Sequence, residues 1–249
     1  MRVCVVERSS RAIGASVRNF GMVWPIGQPA GPLLRRALRS REIWLQCAEH
    51  APFWHEPCGA LHVATDRLEM AVLEEFESLY ADRGYRASLL SRKDALATNR
   101  ALRADRVVGA LRTGAELCVD PREAIRELPG YLSRRHNVVF RFGLHASRVN
   151  TGSVEFSDDS RIEADRIVVA SGPDLRVLFP VQLAAAGIVN CKLQMMRSVA
   201  QPDAWRMGTH LAAGLTLIHY KAFAACPSLP ALRAASEERW PDHLRLGVH

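Results

Sequence analysis

The residue at position 7 is the first one in the chain that is placed to do chemistry. Glu7 follows an apolar run at residues 3–6, and this pattern predicts a short buried strand over residues 2–6. Dinucleotide-binding folds use an acidic residue at the end of such a strand to bind a ribose hydroxyl. A solvated strand end or a helix cap would also place a carboxylate there, so this residue alone leaves both interpretations open.

A glycine-punctuated stretch at residues 13–21 offers a second group of candidates. Its small residues would let backbone N–H groups approach an anion, and its polar side chains add further donors. The residues suited to this role are Ala15, Ser16, Arg18 and Asn19. The stretch is therefore a candidate pyrophosphate-binding loop, with a plain surface turn as the alternative.

Residues 164–172 are the third candidate. Their apolar middle predicts a buried strand that ends at Ser171 and Gly172. Two small residues at that point would let the main chain approach a nucleotide closely. An ordinary glycine at the end of a strand gives the same pattern.

Other chemistries find little support in the sequence. It has no G-x-S-x-G nucleophile motif, no Walker sequence and no C-x-x-C pair among its six cysteines. The histidines and cysteines show no zinc spacing, so no metal site is predicted. No run approaches the roughly 20 apolar residues of a membrane span, and no secretory signal is found. These features predict a cytoplasmic protein with reduced thiols and no membrane span.

The net charge of +7 raises nucleic acid as a partner. The arginines are spread among acidic residues, however, and their one cluster, at residues 35–41, lies on a predicted helix whose other face is apolar. We therefore predict a solvated helix face, or a helix near an anionic ligand, and no nucleic-acid partner. A DNA-binding protein stays as an alternative, which a salt-dependent DNA shift would support.

The predicted elements place these candidates on a mixed α/β fold. Asp66 and Glu69 form a capping box that opens a helix over residues 67–83. Asp120 caps another helix, which Pro129 should kink or shorten. The other predicted elements are a helix over residues 33–50 and strands at residues 59–64, 138–142, 146–149 and 154–156, the last three within a small β-meander.

The order of these features resembles the FAD-dependent oxidoreductases of the D-amino acid oxidase/glycine oxidase superfamily. Residues 5–21 resemble its stretch E-[RK]…GAS-x-RN-x-G, which follows the second strand of the fold. Residues 119–121 and 164–172 match later landmarks, so the resemblance covers essentially the whole chain in order. Residues 20–25 and 192–197 carry a finer resemblance to a bacterial subgroup linked to aminophosphonate breakdown.

The resemblance implies an α/β fold with mixed α+β character. It comprises an incomplete Rossmann-like FAD-binding domain with a β-meander, and a substrate domain on a mixed or antiparallel sheet. The family layout places the FAD-binding domain at residues 1–57 and 115–180 and the substrate-binding domain at residues 58–114 and 181–249. The implied cofactor contacts are Glu7 for the adenosine ribose, Arg8, Ala15, Ser16, Arg18 and Asn19 for the pyrophosphate and isoalloxazine, the backbone of Val149 for the adenine, and Ser171 and Gly172 over the dinucleotide.

The implied activity is oxidation of the C–N bond of an amino acid, a related amine or an aminophosphonate by hydride transfer to the flavin. The substrate would be a small anionic amine. An arginine suits its acidic group because a guanidinium binds a carboxylate or phosphonate in a bidentate way. Arg197 and Tyr220 are the candidate substrate-binding residues. The oligomeric state stays open.

The resemblance also implies that parts of the family's chain have no counterpart here. The first strand and the G-x-G-x-x-G turn of the family precede the strand-end acid by about 20 residues, whereas only six residues precede Glu7. The last third of the family's chain has no match either. We therefore expect a chain shortened at both ends that binds FAD weakly or not at all, because the main anion-binding helix N-terminus is lacking. A non-catalytic truncated paralogue that acts as an interaction module is the alternative.

Overall fold

The computed structural model describes residues 2–190 and 194–242. Its helices are α1 (Pro32–Ala48), α2 (Arg67–Tyr80), α3 (Arg92–Thr98), α4 (Pro121–His136), α5 (Pro180–Ala185), α6 (Leu215–His219) and α7 (Leu229–Arg239). Its strands are β1 (Val3–Glu7), β2 (Met22–Val23), β3 (His55–Glu56), β4 (Ala60–Ala64), β5 (Ser88–Ser91), β6 (Gly109–Thr113), β7 (Leu117–Val119), β8 (Val138–Phe142), β9 (Ala146–Asn150), β10 (Ser153–Phe156), β11 (Arg161–Glu163) and β12 (His210–Ala213). No described helix is both long and apolar enough to cross a bilayer.

The chain divides into two compact units, each assembled from three separate segments. Unit 1 is formed from Met1–Gly21, Cys47–Trp54 and Asp120–Val199, and unit 2 from Met22–Gln46, His55–Val119 and Ala200–His249. Four segments differ from the predicted division, because residues 22–46, 55–57 and 115–119 group with unit 2 and residues 181–199 group with unit 1. The assignment of the two parts to cofactor and substrate binding stays a prediction.

Unit 1 contains a parallel strand pair and a three-stranded meander. β1 pairs in parallel with β8, from Val3 opposite Val138 to Glu7 opposite Phe142, and α4 packs against β8. β9, β10 and β11 form an antiparallel meander, so β8, which was predicted within the meander, belongs to the other sheet. A parallel strand pair with a helix packed beside it agrees with the predicted partial Rossmann-like fold.

Two expectations about unit 1 are wrong. β1 is a strand, but it is not buried, since Val5 is 39% exposed. Residues 164–170 form no strand, and Val168 is 88% exposed, because no described strand lies beside this segment to supply backbone partners. Pro129 was expected to kink or shorten α4. It does not end the helix, which continues to His136, and the kink stays a prediction. A proline removes a single N–H donor, and caps at both ends of this helix hold the rest of it in place.

Unit 2 is built on a mixed sheet in the order β12-β4-β6-β5. β12 lies parallel to β4, and β6 is antiparallel to both β4 and β5. β4 is buried along its whole length, and its side chains alternate between two cores. Ala64 packs in a core with Phe76 of α2, whereas Leu61 and Val63 pack in a core with Ala95 of α3. A second sheet has the order β2-β7-β3.

The predicted capping signals are confirmed in both units. The side chain of Asp66 accepts the N–H of Glu69 at 2.9 Å and begins α2 in unit 2. The side chain of Asp120 accepts two N–H groups at the start of α4 in unit 1, and Asn137 ends that helix in the left-handed conformation. These helices therefore begin at the residues where the sequence predicted them.

Candidate functional site

Glu7 ends β1 at the carboxyl end of the parallel strand pair in unit 1. Its Oε1 accepts the N–H of Ser9 at 2.8 Å, which shapes the turn after the strand. The carbonyl oxygens of Glu7 and Ser9 accept the N–H groups of Leu144 and Gly143, so the turns that follow β1 and β8 are bonded to each other. The carboxylate is thus held, half-buried, where dinucleotide folds bind a ribose hydroxyl.

An ion pair connects this strand end to the Ser171–Gly172 corner. Arg8 Nη1 donates to Asp174 Oδ2 at 2.5 Å. The loop that carries Asp174 is held by its own bonds, since the N–H of Arg176 donates to the Asp174 carboxylate and Ser171 Oγ donates to the Asp174 carbonyl. The Arg176 N–H and the Arg8 guanidinium lower the pKa of Asp174. The ion pair therefore connects the candidate residue Arg8, at the end of β1, with the loop that follows Ser171 and Gly172.

Two clefts lie beside this corner in unit 1. The first has a volume of about 340 Å³ and is lined by Val149, Asn150, Thr151, Gly152, Ala164, Asp165, Ile167 and Phe179. The second has a volume of about 390 Å³ and is lined by Val169, Ala170, Ser171, Gly172, Leu175, Leu178, Phe179, Leu183 and Ile188. Val149 thus faces one cleft, and the Ser171–Gly172 corner faces the other.

The candidate pyrophosphate loop is organised by its own asparagine. Asn19 Nδ2 donates to the carbonyl of Ser16 at 3.0 Å, and Asn19 Oδ1 accepts the N–H of Gly21 at 2.8 Å. A short 3-10 helix, Gly14–Val17, packs against α4, and Ala15 and Arg18 are exposed. None of these residues is among the described residues that line the two clefts. Their contact with a cofactor stays a prediction.

The two candidate substrate residues belong to different units. Arg197 is exposed in a segment of unit 1 without regular structure, and residues 191–193 just before it lie outside the described residues. Tyr220 belongs to unit 2, where its ring lies 6.1 Å from that of Trp24, and burial raises the pKa of its hydroxyl. A Cβ at Gly27 would stand 2.7 Å from the Tyr220 ring, so that position has room for glycine only. The pairing of Arg197 with Tyr220 stays a prediction.

Tyr220 borders a cluster of buried ring nitrogens in unit 2, which the sequence did not predict. His62 on β4 is 1% exposed, and its ring lies 5.4 Å from that of Trp24. The Trp24 ring lies 5.7 Å from that of His210 on β12. Both nitrogens of His62, Nε1 of Trp24 and Nε2 of His210 have no hydrogen-bond partner among the described residues. Burial lowers the pKa of His62 to about 3 and also lowers the pKa of His210, so both rings are neutral at pH 7.

A buried carboxyl group fixes the chain segment that carries Trp24. Oε1 of Glu116 accepts the N–H of Ile26 at 3.3 Å, and Oε2 accepts the hydroxyl of Thr113 at 2.6 Å. Burial raises the pKa of Glu116. No group of three or more histidine, cysteine or acidic side chains in the described chain is arranged to hold a metal ion. The bonds of Glu116 to Ile26 and Thr113 therefore hold the segment that carries the Trp24 ring.

Comparison with a model of a protein family identifies the family of this chain. The model for FAD-dependent oxidoreductases, named DAO, matches residues 1–241. The chain belongs to this family. A comparison with curated protein sequences found no match.

Solved structures of DAO-type enzymes share the fold at low sequence identity. Glycine oxidase from Geobacillus kaustophilus is 20% identical with a TM-score of 0.61, and the match covers 75% of this chain and 52% of that one. Glycine oxidase from Bacillus cereus is 19% identical with a TM-score of 0.59, with coverage of 72% and 51%. Iminodiacetate oxidase from Chelativorans sp. BNC1 is 21% identical with a TM-score of 0.53, with coverage of 74% and 51%. The chain thus spans about half the length of these relatives.

The residues of unit 1 fit the adenosine half of FAD, the cofactor of this family. Glu7 offers a carboxylate acceptor to ribose hydroxyls at the end of a parallel strand. The first cleft combines apolar side chains, such as Val149 and Ile167, with the polar groups of Asn150 and Asp165. Asp174 holds the neighbouring corner through its ion pair with Arg8. The sequence distinguishes this residue only in that no other acidic residue lies between Asp165 and Asp203.

Proposed function

We propose that unit 1 holds the adenosine part of FAD between the end of β1 and the first cleft. The observation that carries this proposal is the Arg8–Asp174 ion pair, which joins the strand end at Glu7 to the Ser171–Gly172 corner. Glu7 binds the ribose, the backbone at Val149 meets the adenine, and the corner closes over the dinucleotide. Ala15, Ser16, Arg18 and Asn19 serve the pyrophosphate and isoalloxazine side.

The proposed reaction is oxidation of the C–N bond of an amino acid, a related amine or an aminophosphonate. Bound FAD supplies the hydride acceptor in this chemistry. Relatives of the same fold are named glycine oxidase and iminodiacetate oxidase, which supports a small anionic amine as substrate. Arg197 binds the acidic group of that substrate, because a guanidinium forms paired hydrogen bonds with a carboxylate or phosphonate. Tyr220, the second substrate-binding candidate, offers a neutral hydroxyl.

Binding of FAD and ADP to the full chain tests the cofactor site. Isothermal titration at high ligand concentration should detect weak binding of both ligands, because the proposed contacts serve the adenosine half that they share. Glu7→Gln should weaken both about ten-fold, since it replaces a charged hydrogen-bond acceptor with a neutral one. The exposed acidic residue Glu49 of unit 1 provides the control, and Glu49→Gln should bind like the parent. Equal affinities of the parent and Glu7→Gln would contradict the assignment of Glu7, and no binding of either ligand would contradict the cofactor site itself.

Steady-state kinetics with FAD present test the substrate assignment. Glycine, iminodiacetate and an aminophosphonate should each be offered as the amine, with reduction of an added electron acceptor as the signal. Arg197→Ala should raise KM about ten-fold or more with little change in flavin content, because a charged hydrogen bond to the substrate is lost. Arg206→Ala, at an exposed arginine of unit 2, is the matched control. An unchanged KM in Arg197→Ala would show that another group binds the acidic part of the substrate.

One observation favours the second candidate, a non-catalytic interaction module. Unit 1 exposes large apolar side chains, among them Val168, Val189 and Met196. Large exposed apolar side chains favour contact with another chain where they form a contiguous patch. Stoichiometric FAD in the purified protein would favour the flavoenzyme, whereas a stable oligomer without flavin or ADP binding would favour the interaction module.

A further inference from the structure

Phe179 stands between the two clefts of unit 1 and lines both of them. It is the residue directly before α5, and its carbonyl accepts the N–H of Leu183 in the first turn of that helix. Its side chain is 40% exposed, so the ring is not part of a packed core. An aromatic side chain that lines two clefts offers a face to a bound ligand.

The backbone of Phe179 is strained. Its φ of +56° and ψ of +43° lie in the left-handed region. Among the described residues of unit 1, the other non-glycine positions with positive φ are Asn137 and Asp159, whose short polar side chains tolerate this conformation. Phenylalanine has no such tolerance, and Pro180 directly after it normally drives the preceding residue towards extended backbone. Strain of this kind at a cleft is typical of a residue held in place for binding.

The lining of the first cleft indicates which ligand would meet this ring. Val149, Ala164 and Ile167 provide apolar walls, and Asn150 and Asp165 provide polar groups. A nucleobase matches this combination, because its faces are apolar and its edges carry hydrogen-bonding groups. The second cleft is lined mostly by aliphatic side chains, so it is a poorer match for a nucleobase.

We infer that Phe179 is the aromatic wall on which the adenine of the dinucleotide stacks in the first cleft. This inference rests on the proposed function, because it assumes that unit 1 binds the adenosine half of FAD. In the inferred arrangement one face of the base packs on the Phe179 ring. Asp165 accepts a hydrogen bond from the exocyclic amino group, which is the donor on the edge of adenine. Phe179 lines both clefts, and its backbone adopts the left-handed conformation.

Titration of the full chain with ADP tests the inference. Phe179→Leu should weaken ADP binding about five-fold or more, because base–aromatic stacking is lost while an apolar side chain remains. Phe179→Tyr keeps an aromatic face and should bind within about two-fold of the parent. Val181→Ala is the matched control, because Val181 is 75% exposed two residues away and lines neither cleft. In NMR spectra of the complex, the H2 and H8 signals of adenine should shift upfield with the parent and lose that shift with Phe179→Leu.

Phe179→Gly separates binding from folding. Glycine adopts a positive φ without strain, and this relief offsets part of the packing lost with the Phe179 ring, so the variant should stay folded while it loses ADP affinity. If the parent binds ADP and Phe179→Leu binds it equally well with the same adenine shifts, the stacking inference is wrong and the proposed function stands. If the parent binds neither ADP nor FAD, the proposed function fails and the inference fails with it.

Discussion

The buried imidazole of His62 makes unit 2 sensitive to acid. Burial lowers the pKa of His62 to about 3 in the folded chain, against 6.5 for an exposed histidine. The unfolded chain therefore binds a proton at His62 between these two values while the folded chain does not, so the stability of the fold decreases as the pH falls below 6.5. From pH 7.5 to pH 5 the free energy of unfolding falls by about 2 kcal/mol through His62. Since pH 5 is still above the pKa of His62 in the folded chain, this decrease depends almost wholly on the pKa of the histidine in the unfolded chain.

Urea unfolding of the full chain, followed by tryptophan fluorescence at pH 7.5 and pH 5, measures this loss. His62→Leu should be as stable as the parent or more stable at pH 7.5, because it removes two buried nitrogens that have no described partner. At pH 5 the free energy of unfolding of His62→Leu should exceed that of the parent by about 2 kcal/mol more than it does at pH 7.5. The comparison of the two proteins cancels the contributions of other titrating groups. His210, whose pKa is also lowered, adds to the loss in acid, whereas Glu69 and Glu116, whose pKa values are raised, oppose it.

His219→Gln is the control for this measurement, because His219 is exposed in the same unit. This variant should keep the acid sensitivity of the parent. If His62→Leu loses as much stability between pH 7.5 and pH 5 as the parent does, the imidazole of His62 is not neutral in the folded chain and the reasoning is refuted.

Three further changes test the packing around the site. Glu116→Ala should destabilise the chain by about 2–4 kcal/mol in urea unfolding, because it leaves the N–H of Ile26 and the hydroxyl of Thr113 without their acceptor. Gly59→Ala should lower the melting temperature, since φ at this position is +63° and the new Cβ would stand 2.6 Å from a backbone oxygen; a melting temperature equal to the parent's would contradict the clash. Asp120→Ala should cost about 1 kcal/mol in urea unfolding through the loss of the α4 cap, and no change in the midpoint would count against it.

Local signals in the sequence were enough to predict several elements. The N-cap at Asp66 and the cap at Asp120 depend only on neighbouring residues, and the structure confirms both. The second bond of the predicted capping box differs, because the Glu69 carboxylate accepts the N–H of Thr65 instead of that of Asp66. β1 and its end at Glu7 were predicted from a short apolar run, and they pair as a parallel strand should. Residues 164–170 show the limit of such runs, because an apolar segment becomes a strand only where another strand lies beside it.

The unpredicted parts of the site depend on contacts between distant residues. His62 has the alternating pattern of a buried strand, but its lack of hydrogen-bond partners follows from Trp24 and Phe223, which lie far away in the sequence. The Arg8–Asp174 pair joins residues 166 positions apart. The left-handed backbone of Phe179 runs against the local preference of a residue before proline, so tertiary structure decides it.

The course of the chain through unit 2 has a consequence for how the protein is made. β4 receives its parallel neighbour β12 only after about 150 further residues have been synthesised, and most of unit 1 lies in between. A nascent chain therefore carries β4 with one bare edge for most of its translation, and pairings so remote along the chain form slowly. Chaperone binding to ribosome-bound chains should accordingly be strongest before residues 210–213 emerge from the exit tunnel.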